Sequence, residues 1–80
     1  MGASLWEAIV FDPMDHNKLL GVETASVRKD LVKKINLLLE TNNKRVKITY
    51  YYMNALVFME KKHSKRVDEI ANWLKIKRVI

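Results

Sequence analysis

The sequence predicts a small α+β domain with the element order β-α-β-β-α-β. Four stretches favour β-strand, two others carry apolar residues at helical spacing, and turn-forming residues separate them. The chain has 80 residues, of which 49% are hydrophobic, and this content suffices for one core. A chain of this length buries only about 60% of its unfolded surface, so its stability is limited. We expect one basic domain over residues 1–80.

The first predicted strand covers residues 5–11 (LWEAIVF), a short apolar run rich in β-forming residues. It ends at Asp12-Pro13, because proline cannot continue a paired strand. Residues 13–23 contain the only proline and one of the two glycines. This composition predicts a loop that can include one turn of helix.

The first predicted helix begins at Thr24 or Ser26, each of which is a suitable N-cap residue. From there the apolar spacing changes to the helical period. The helix is expected to end at Asn42-Asn43, since asparagine tolerates the left-handed conformation that ends many helices. The apolar stripe that would face the core consists of Val27, Leu31, Val32, Ile35, Leu38 and Leu39.

Residues 45–52 (RVKITYYY) alternate at period two, as expected for a strand with one buried face. A tight turn at residues 52–55 would connect this strand to another over residues 55–60. One helix over residues 48–62 is the alternative, but β-branched residues and three consecutive tyrosines favour strands. In the strand interpretation one face carries Val46, Ile48, Tyr50 and Tyr52, and the other carries Arg45, Lys47, Thr49 and Tyr51.

The second predicted helix begins at Ser64, and its first turn contains Asp68-Glu69, where the helix dipole favours anions. Residues 75–80 (KIKRVI) alternate again and predict the final strand. The complete order describes the ferredoxin-like fold, a four-stranded antiparallel sheet with two helices on one face. The helix residues expected to face the core are Val67, Ile70, Ala71 and Leu74.

The composition favours a polyanionic partner. Fifteen Lys and Arg residues against nine Asp and Glu give a net charge of +6, which attracts nucleic acid first and other anionic partners second. The chain has no cysteine, which fits a reducing intracellular compartment, cytoplasmic or nuclear. It shows no signal-peptide pattern, and no uncharged run is long enough to span a bilayer.

The uncovered face of the predicted sheet is the candidate binding surface for DNA or RNA. Cations can hold phosphates and a tyrosine ring can stack on a base. Arg45 and Lys47 are expected to contact phosphates, Tyr51 to stack, and cations of the last strand to extend the surface. The full predicted site is Arg45, Lys47, Thr49, Tyr51, Lys75, Lys77 and Arg78.

The sequence leaves open which face of each strand is uncovered, because a shift of one residue exchanges the two faces. For the last strand the alternatives are Lys75, Lys77 and Val79, or Ile76, Arg78 and Ile80. For the first strand they are Trp6, Ala8 and Val10, or Leu5, Glu7, Ile9 and Phe11.

Enzymatic activity, a cofactor and a metal are not expected. The chain lacks the short motifs of phosphate-binding loops, dinucleotide folds, serine hydrolases and zinc proteases. The polar loop with Asp12, Asp15 and His16 matches no established ligand spacing, so we interpret it as turn-forming. Residues 67–76 are similar to the start of a helix-turn-helix motif, but residues 77–80 are too short for a recognition helix.

The alternative function is a protein-interaction or regulatory module that dimerises or binds a partner through its open sheet face. The tyrosines at 50–52 and the apolar residues at 56–59 would supply the contact area. RNA-recognition motif domains share the predicted topology. Membership is not inferred, because Asn54 and Leu56 occupy the positions of their stacking aromatic residues.

Overall fold

The computed structural model describes residues 4–50, 53 and 65–80, and shows a small α+β domain with a three-stranded antiparallel sheet and two helices. The predicted α+β class is confirmed. Side chains of both helices and of one sheet face form a single core cluster. The elements are β1 (Trp6–Asp12), β2 (Asp15–Ala25), α1 (Arg28–Thr41), α2 (Lys65–Ala71) and β3 (Leu74–Arg78).

Strand β2 replaces the loop predicted over residues 13–23, so that prediction was wrong. β1 and β2 form an antiparallel hairpin whose turn contains Pro13. The proline therefore marks a tight turn and not a long loop. Gly21 lies inside β2 because α1 packs closely on it: a Cβ added there would lie 3.0 Å from Cδ2 of Leu38. Gly21 therefore reflects close packing against α1 and does not mark a turn.

The sheet has the order β2-β1-β3, with β1 in the centre. We call the side that α1 covers the inner face, and the opposite side the outer face. On the inner face Ala8 and Val10 are fully buried. At the far end of β1 the chain continues the pairing, since Val79 N donates to Leu5 O at 2.8 Å.

A β-bulge interrupts the hairpin at Leu20. Val10 pairs with Gly21 and the next residue, Phe11, pairs with Leu19, which leaves Leu20 outside the register. Leu20 packs against the core cluster. A bulge changes the alternation of side chains along its strand. Leu19 and Val22 are therefore both on the outer face, although three positions separate them.

Helix α1 confirms the first predicted helix. Its N-cap is Val27 and not Thr24 or Ser26, and Leu31 N donates to Val27 O at 3.1 Å. Thr24 instead belongs to β2, because the hairpin extends to residue 25. Asn43 has φ of 60°, which confirms the left-handed conformation expected at the end of this helix. The fully buried residues of α1 are Leu31, Ile35 and Leu39.

Residues 44–49 lie in neither a helix nor a strand, so the strand predicted over 45–52 does not form in its described part. The inward alternation was correct for Ile48, which is buried, and for Val46, which is half-buried, but wrong for Tyr50, which is exposed where the chain becomes helical. The main chain of Ile48 bonds to a side chain of α1. Asn36 Nδ2 donates to Ile48 O (3.0 Å), and Ile48 N donates to Asn36 Oδ1 (2.9 Å). The Asn36 side-chain amide thus bonds the main-chain N–H and C=O of Ile48, as a neighbouring strand would in a sheet.

Tyr50 and Met53 are helical, and Met53 N donates to Thr49 O at 3.1 Å. This bond favours the helical alternative for the beginning of the 48–62 stretch. The strand predicted over residues 55–60 lies outside the described residues. The four-stranded ferredoxin-like arrangement is thus not confirmed, and the described chain begins β-β-α where β-α-β was predicted.

The final strand confirms the prediction, whereas the helix before it ends at Ala71, so that Leu74, predicted on the helix, is buried as the first residue of β3. β3 pairs antiparallel with β1 and begins at Leu74, one residue earlier than expected. Val67 and Ile70 of α2 are buried, as the spacing indicated, and Trp73 is buried beside them. No helix within the described segments is long and apolar enough to cross a lipid bilayer.

Candidate functional site

Lys75 and Lys77 stand on the outer face of the sheet. Lys75 pairs with Ile9 and Lys77 with Glu7, while the alternate β1 residues are buried on the inner face. Residues directly opposite each other in an antiparallel pair share a face. The structure therefore shows which of the alternative faces is uncovered. The outer face carries Glu7 and Ile9 from β1, and Lys75 and Lys77 from β3.

Both lysines are exposed, and each has one contact nearby. Lys77 Nζ lies 3.6 Å from Glu7 Oε1, and 63% of the Lys77 side chain is exposed. At this distance and exposure the ion pair is weak and readily exchanged for another anion. Lys75 Nζ donates to Ala71 O at 2.6 Å, which places its charge at the end of α2, where carbonyl groups lack partners within the helix.

Arg78 is exposed at the end of β3, but it is not on the same face as the lysines. It pairs with Trp6, in the inner-face register, and its Nε donates to Ile80 O at 2.9 Å. Above Trp6 lies a different cation, Arg28 of α1, whose Cζ is 5.4 Å from the ring centroid. The structure therefore separates Arg78 from the pair with which it was predicted to act.

The predicted residues of the 45–52 stretch do not form one strand surface with β3. Arg45, Lys47 and Thr49 are exposed in the segment that follows α1, and the Thr49 carbonyl oxygen accepts the helical bond from Met53 N. Tyr51, the predicted stacking residue, lies outside the described residues. The predicted site is thus divided between the outer face of β3 and this segment.

A groove of about 380 Å³ lies where the hairpin turn, the segment after α1 and the end of α2 meet. Phe11 N donates to Trp73 O at 2.7 Å and fixes the end of α2 against the hairpin. Sequence reasoning missed this groove because three distant segments create it. Its floor is apolar and its rim is polar: the lining residues are Pro13, Met14, His16, Val46, Lys47, Glu69, Ile70, Asn72 and Trp73.

Asp12 organises the hairpin turn beside this groove. Its side chain is 6% exposed, Lys44 Nζ lies 2.8 Å from its Oδ2, and Met14 N donates to its Oδ1 at 2.8 Å. The hydrogen bond from Lys44, followed by that from Met14, holds the pKa of Asp12 below its ordinary value. Asp15 likewise accepts a bond from Asn17 N at 3.2 Å. Both carboxylates therefore fix turns, in agreement with the interpretation from sequence.

Within the described part of the chain, no group of three or more histidine, cysteine or acidic side chains is arranged to hold a metal ion. The described surface carries exposed ammonium and guanidinium groups. On the outer face Lys75 and Lys77 lie beside Glu7 and beside the aliphatic side chains of Ile9 and Val22. Compared with models of protein families, with curated proteins and with solved structures, the chain shows no significant match.

Proposed function

We propose that this chain is a non-catalytic nucleic-acid-binding domain that holds the phosphate backbone of DNA or RNA. The observation that carries the proposal is the exposure of Lys75 and Lys77 on one sheet face of a chain whose net charge is +6. A surplus of this sign attracts nucleic acid over distances of up to about a Debye length, and the attraction weakens as salt is added. The intracellular location expected from the absence of cysteine belongs to the same proposal.

The spacing of the two lysines supports contact with successive phosphates. The Cα atoms of residues two apart on a strand lie roughly 6.6 Å apart, and the two ammonium groups have different neighbours, Ala71 O and Glu7, so each could contact its own phosphate. Lys47 is a further exposed cation near the start of β3, where it lines the groove beside Trp73. Arg78 ends β3 in the inner-face register and stands apart from the two lysines. A strand of nucleic acid that follows the outer face of β3 would pass Lys77 and Lys75 and then reach this groove.

The described outer face offers phosphate contacts and little that distinguishes one base from another. Ile9 and Val22 are aliphatic and cannot stack on a base, and the aromatic ring of Phe11, which shares this face by register, is half-buried against the core cluster. Phosphate contacts position a protein without reading sequence. We therefore expect binding that is strongly salt-dependent and weakly selective for sequence, with base stacking by Tyr51 as a separate proposal.

The test is a salt titration of binding to labelled single- and double-stranded DNA and RNA, followed by fluorescence anisotropy. The variant K75Q/K77Q removes both outer-face charges, and K29Q/K33Q removes two exposed charges of α1 as a control of equal net charge. The outer-face variant should lower the log–log salt slope by about 1.4 on single strands and about 1.8 on duplexes. The control should leave the slope nearly unchanged.

Two results would count against the proposal. One is the absence of measurable affinity for any of the four nucleic acids at low salt. The other is an equal loss of affinity in both double variants, which would indicate a general charge effect without a defined surface.

A second candidate function is protein interaction through the outer face. Leu19 is 52% exposed and Val22 is 49% exposed there, on the strand farthest from the lysines. Aliphatic side chains exposed side by side are typical of a surface that another chain covers. A salt-resistant oligomer that does not bind nucleic acid would support this function over the first.

A further inference from the structure

Strand β2 forms one edge of the sheet and is its longest strand. It has 11 residues, against seven in β1 and five in β3. Among the described strands it pairs only with β1, and an edge strand presents a row of main-chain N–H and C=O groups with which a further strand can pair. From these properties and from its sequence we infer that β2 pairs antiparallel with β2 of a second copy of this chain.

The bulge at Leu20 gives this strand a surface that suits self-pairing. Because Leu20 is outside the register, Leu19 and Val22 share the outer face, while Leu20 and Gly21 are both directed to the inner side. A two-fold axis between Leu20 and Gly21 preserves these faces. Under that axis, Leu19 of each copy lies opposite Val22 of the other, and the exposed apolar surface is buried twice.

The same axis places opposite charges together. Lys18 of each copy lies opposite Glu23 of the other, which gives two ion pairs at the junction. If the axis were shifted by half a residue in either direction, Lys18 and Glu23 would each lie opposite an uncharged residue. Among neighbouring registers, only this one matches both the apolar and the charged side chains.

Helix α1 extends the apolar surface and limits the length of the pairing. Leu37 is 64% exposed and lines a small groove of about 170 Å³ between α1 and β2, together with Glu23. In the dimer the two copies of Leu37 would flank the junction. Thr24 O already accepts a hydrogen bond from Lys34 Nζ at 2.7 Å, so the proposed pairing ends at Glu23.

The dimer would have a continuous six-stranded sheet with the order β3-β1-β2-β2-β1-β3. Five strand spacings separate the two copies of β3 by about 24 Å, and each carries its own exposed lysines. The dimer also buries Leu19 and Val22, the exposed aliphatic side chains on which the second candidate function rests. It does not depend on nucleic-acid binding.

The experiment measures dimerisation of the full chain by sedimentation equilibrium at low and high salt. K18E opposes two carboxylates at each charge pair, and E23K opposes two ammonium groups. Each single variant should weaken dimerisation on the order of tenfold, from two charge pairs of up to about 1 kcal/mol each. An equimolar mixture of K18E and E23K pairs opposite charges at both positions, so it should dimerise as strongly as the wild type.

Folding is checked by circular dichroism, because K18E also places an anion near Asp12. E23K tests the same contact without that complication. The inference is overturned if the wild type stays monomeric at its highest soluble concentration, if neither single variant weakens the dimer, or if the mixture fails to restore it. K75Q/K77Q should dimerise normally, so failure of this inference can be told from failure of nucleic-acid binding.

Discussion

The ion pair between Glu7 and Lys77 allows a test in which two substitutions at one contact have opposite effects. The two charges are 3.6 Å apart, and their side chains are 26% and 63% exposed, respectively. Exposed pairs of this kind contribute about 0.2–1 kcal/mol to stability. Replacing either residue by glutamine should therefore change the free energy of unfolding by less than about 1 kcal/mol, as measured by urea denaturation.

Nucleic-acid binding should separate the two variants. K77Q removes one phosphate contact, so the salt slope should fall by about 0.9 on duplexes and the affinity should fall with it. E7Q removes the anion that competes with phosphate for Lys77. If the whole ion-pair energy is recovered on binding, affinity should rise about 1.4- to 5-fold with no loss of slope.

Glu7→Gln also raises the net charge by one, so a matched control is needed. Asp30→Asn makes the same change at an exposed position in the first turn of α1, away from the outer face. Affinity should rise less in this control than in E7Q. If E7Q and K77Q weaken nucleic-acid binding equally, Lys77 affects binding only by stabilising the fold and does not contact phosphate. If E7Q and D30N raise affinity equally, the outer face has no special role.

Three further predictions concern stability. Gly21→Ala should lower the free energy of unfolding by about 0.5–2 kcal/mol in urea denaturation, because the close contact with Leu38 outweighs the stabilisation that comes from the lower conformational entropy of the unfolded chain; an increase in stability would show that Leu38 moves away freely. Asn36→Ala should cost about 1–3 kcal/mol by the same assay, since the main chain of Ile48 loses both partners; an unchanged unfolding midpoint would contradict this role. The Asp12 pair should be fully stabilising above the ordinary pKa of 3.8, and this stability should be lost as pH falls through the lowered pKa of the folded state. In acid titrations followed by circular dichroism, Asp12→Asn should remove this part of the pH dependence, and an unaltered acid transition would contradict the assignment.

The sequence predicted the elements whose signals are local. The alternation of residues 75–80 and the stripe of α1 were sufficient, because each element packs one regular face on the core. The sequence did not predict β2 because the bulge interrupts the period-two pattern of apolar residues, so that Leu19, Leu20 and Val22 do not alternate. Gly21 was in addition interpreted as part of a loop. A period-two pattern cannot reveal a strand in which an extra residue changes the alternation.

The segment after α1 shows the opposite error. Its alternation was real, but the backbone of Ile48 bonds to Asn36, a partner twelve positions earlier on a helix. Alternation reports which side chains face inward and does not identify what pairs with the main chain. For the same reason, only part of the candidate site could be predicted from the sequence. The shared outer face of Lys75 and Lys77 follows from alternation, whereas Glu7 and the groove beside Trp73 depend on contacts between distant segments.

The central position of β1 has a consequence for how the protein is made. Its hairpin partner follows after only two residues, so β1 and β2 can associate early during translation. Its other neighbour, β3, supplies Leu74 to the core and is synthesised after the other described elements. A nascent chain therefore keeps one side of its middle strand open until some 60 further residues have been added. Ribosome-bound chains that end before β3 should for this reason be recognised by chaperones, and chains that include it should not.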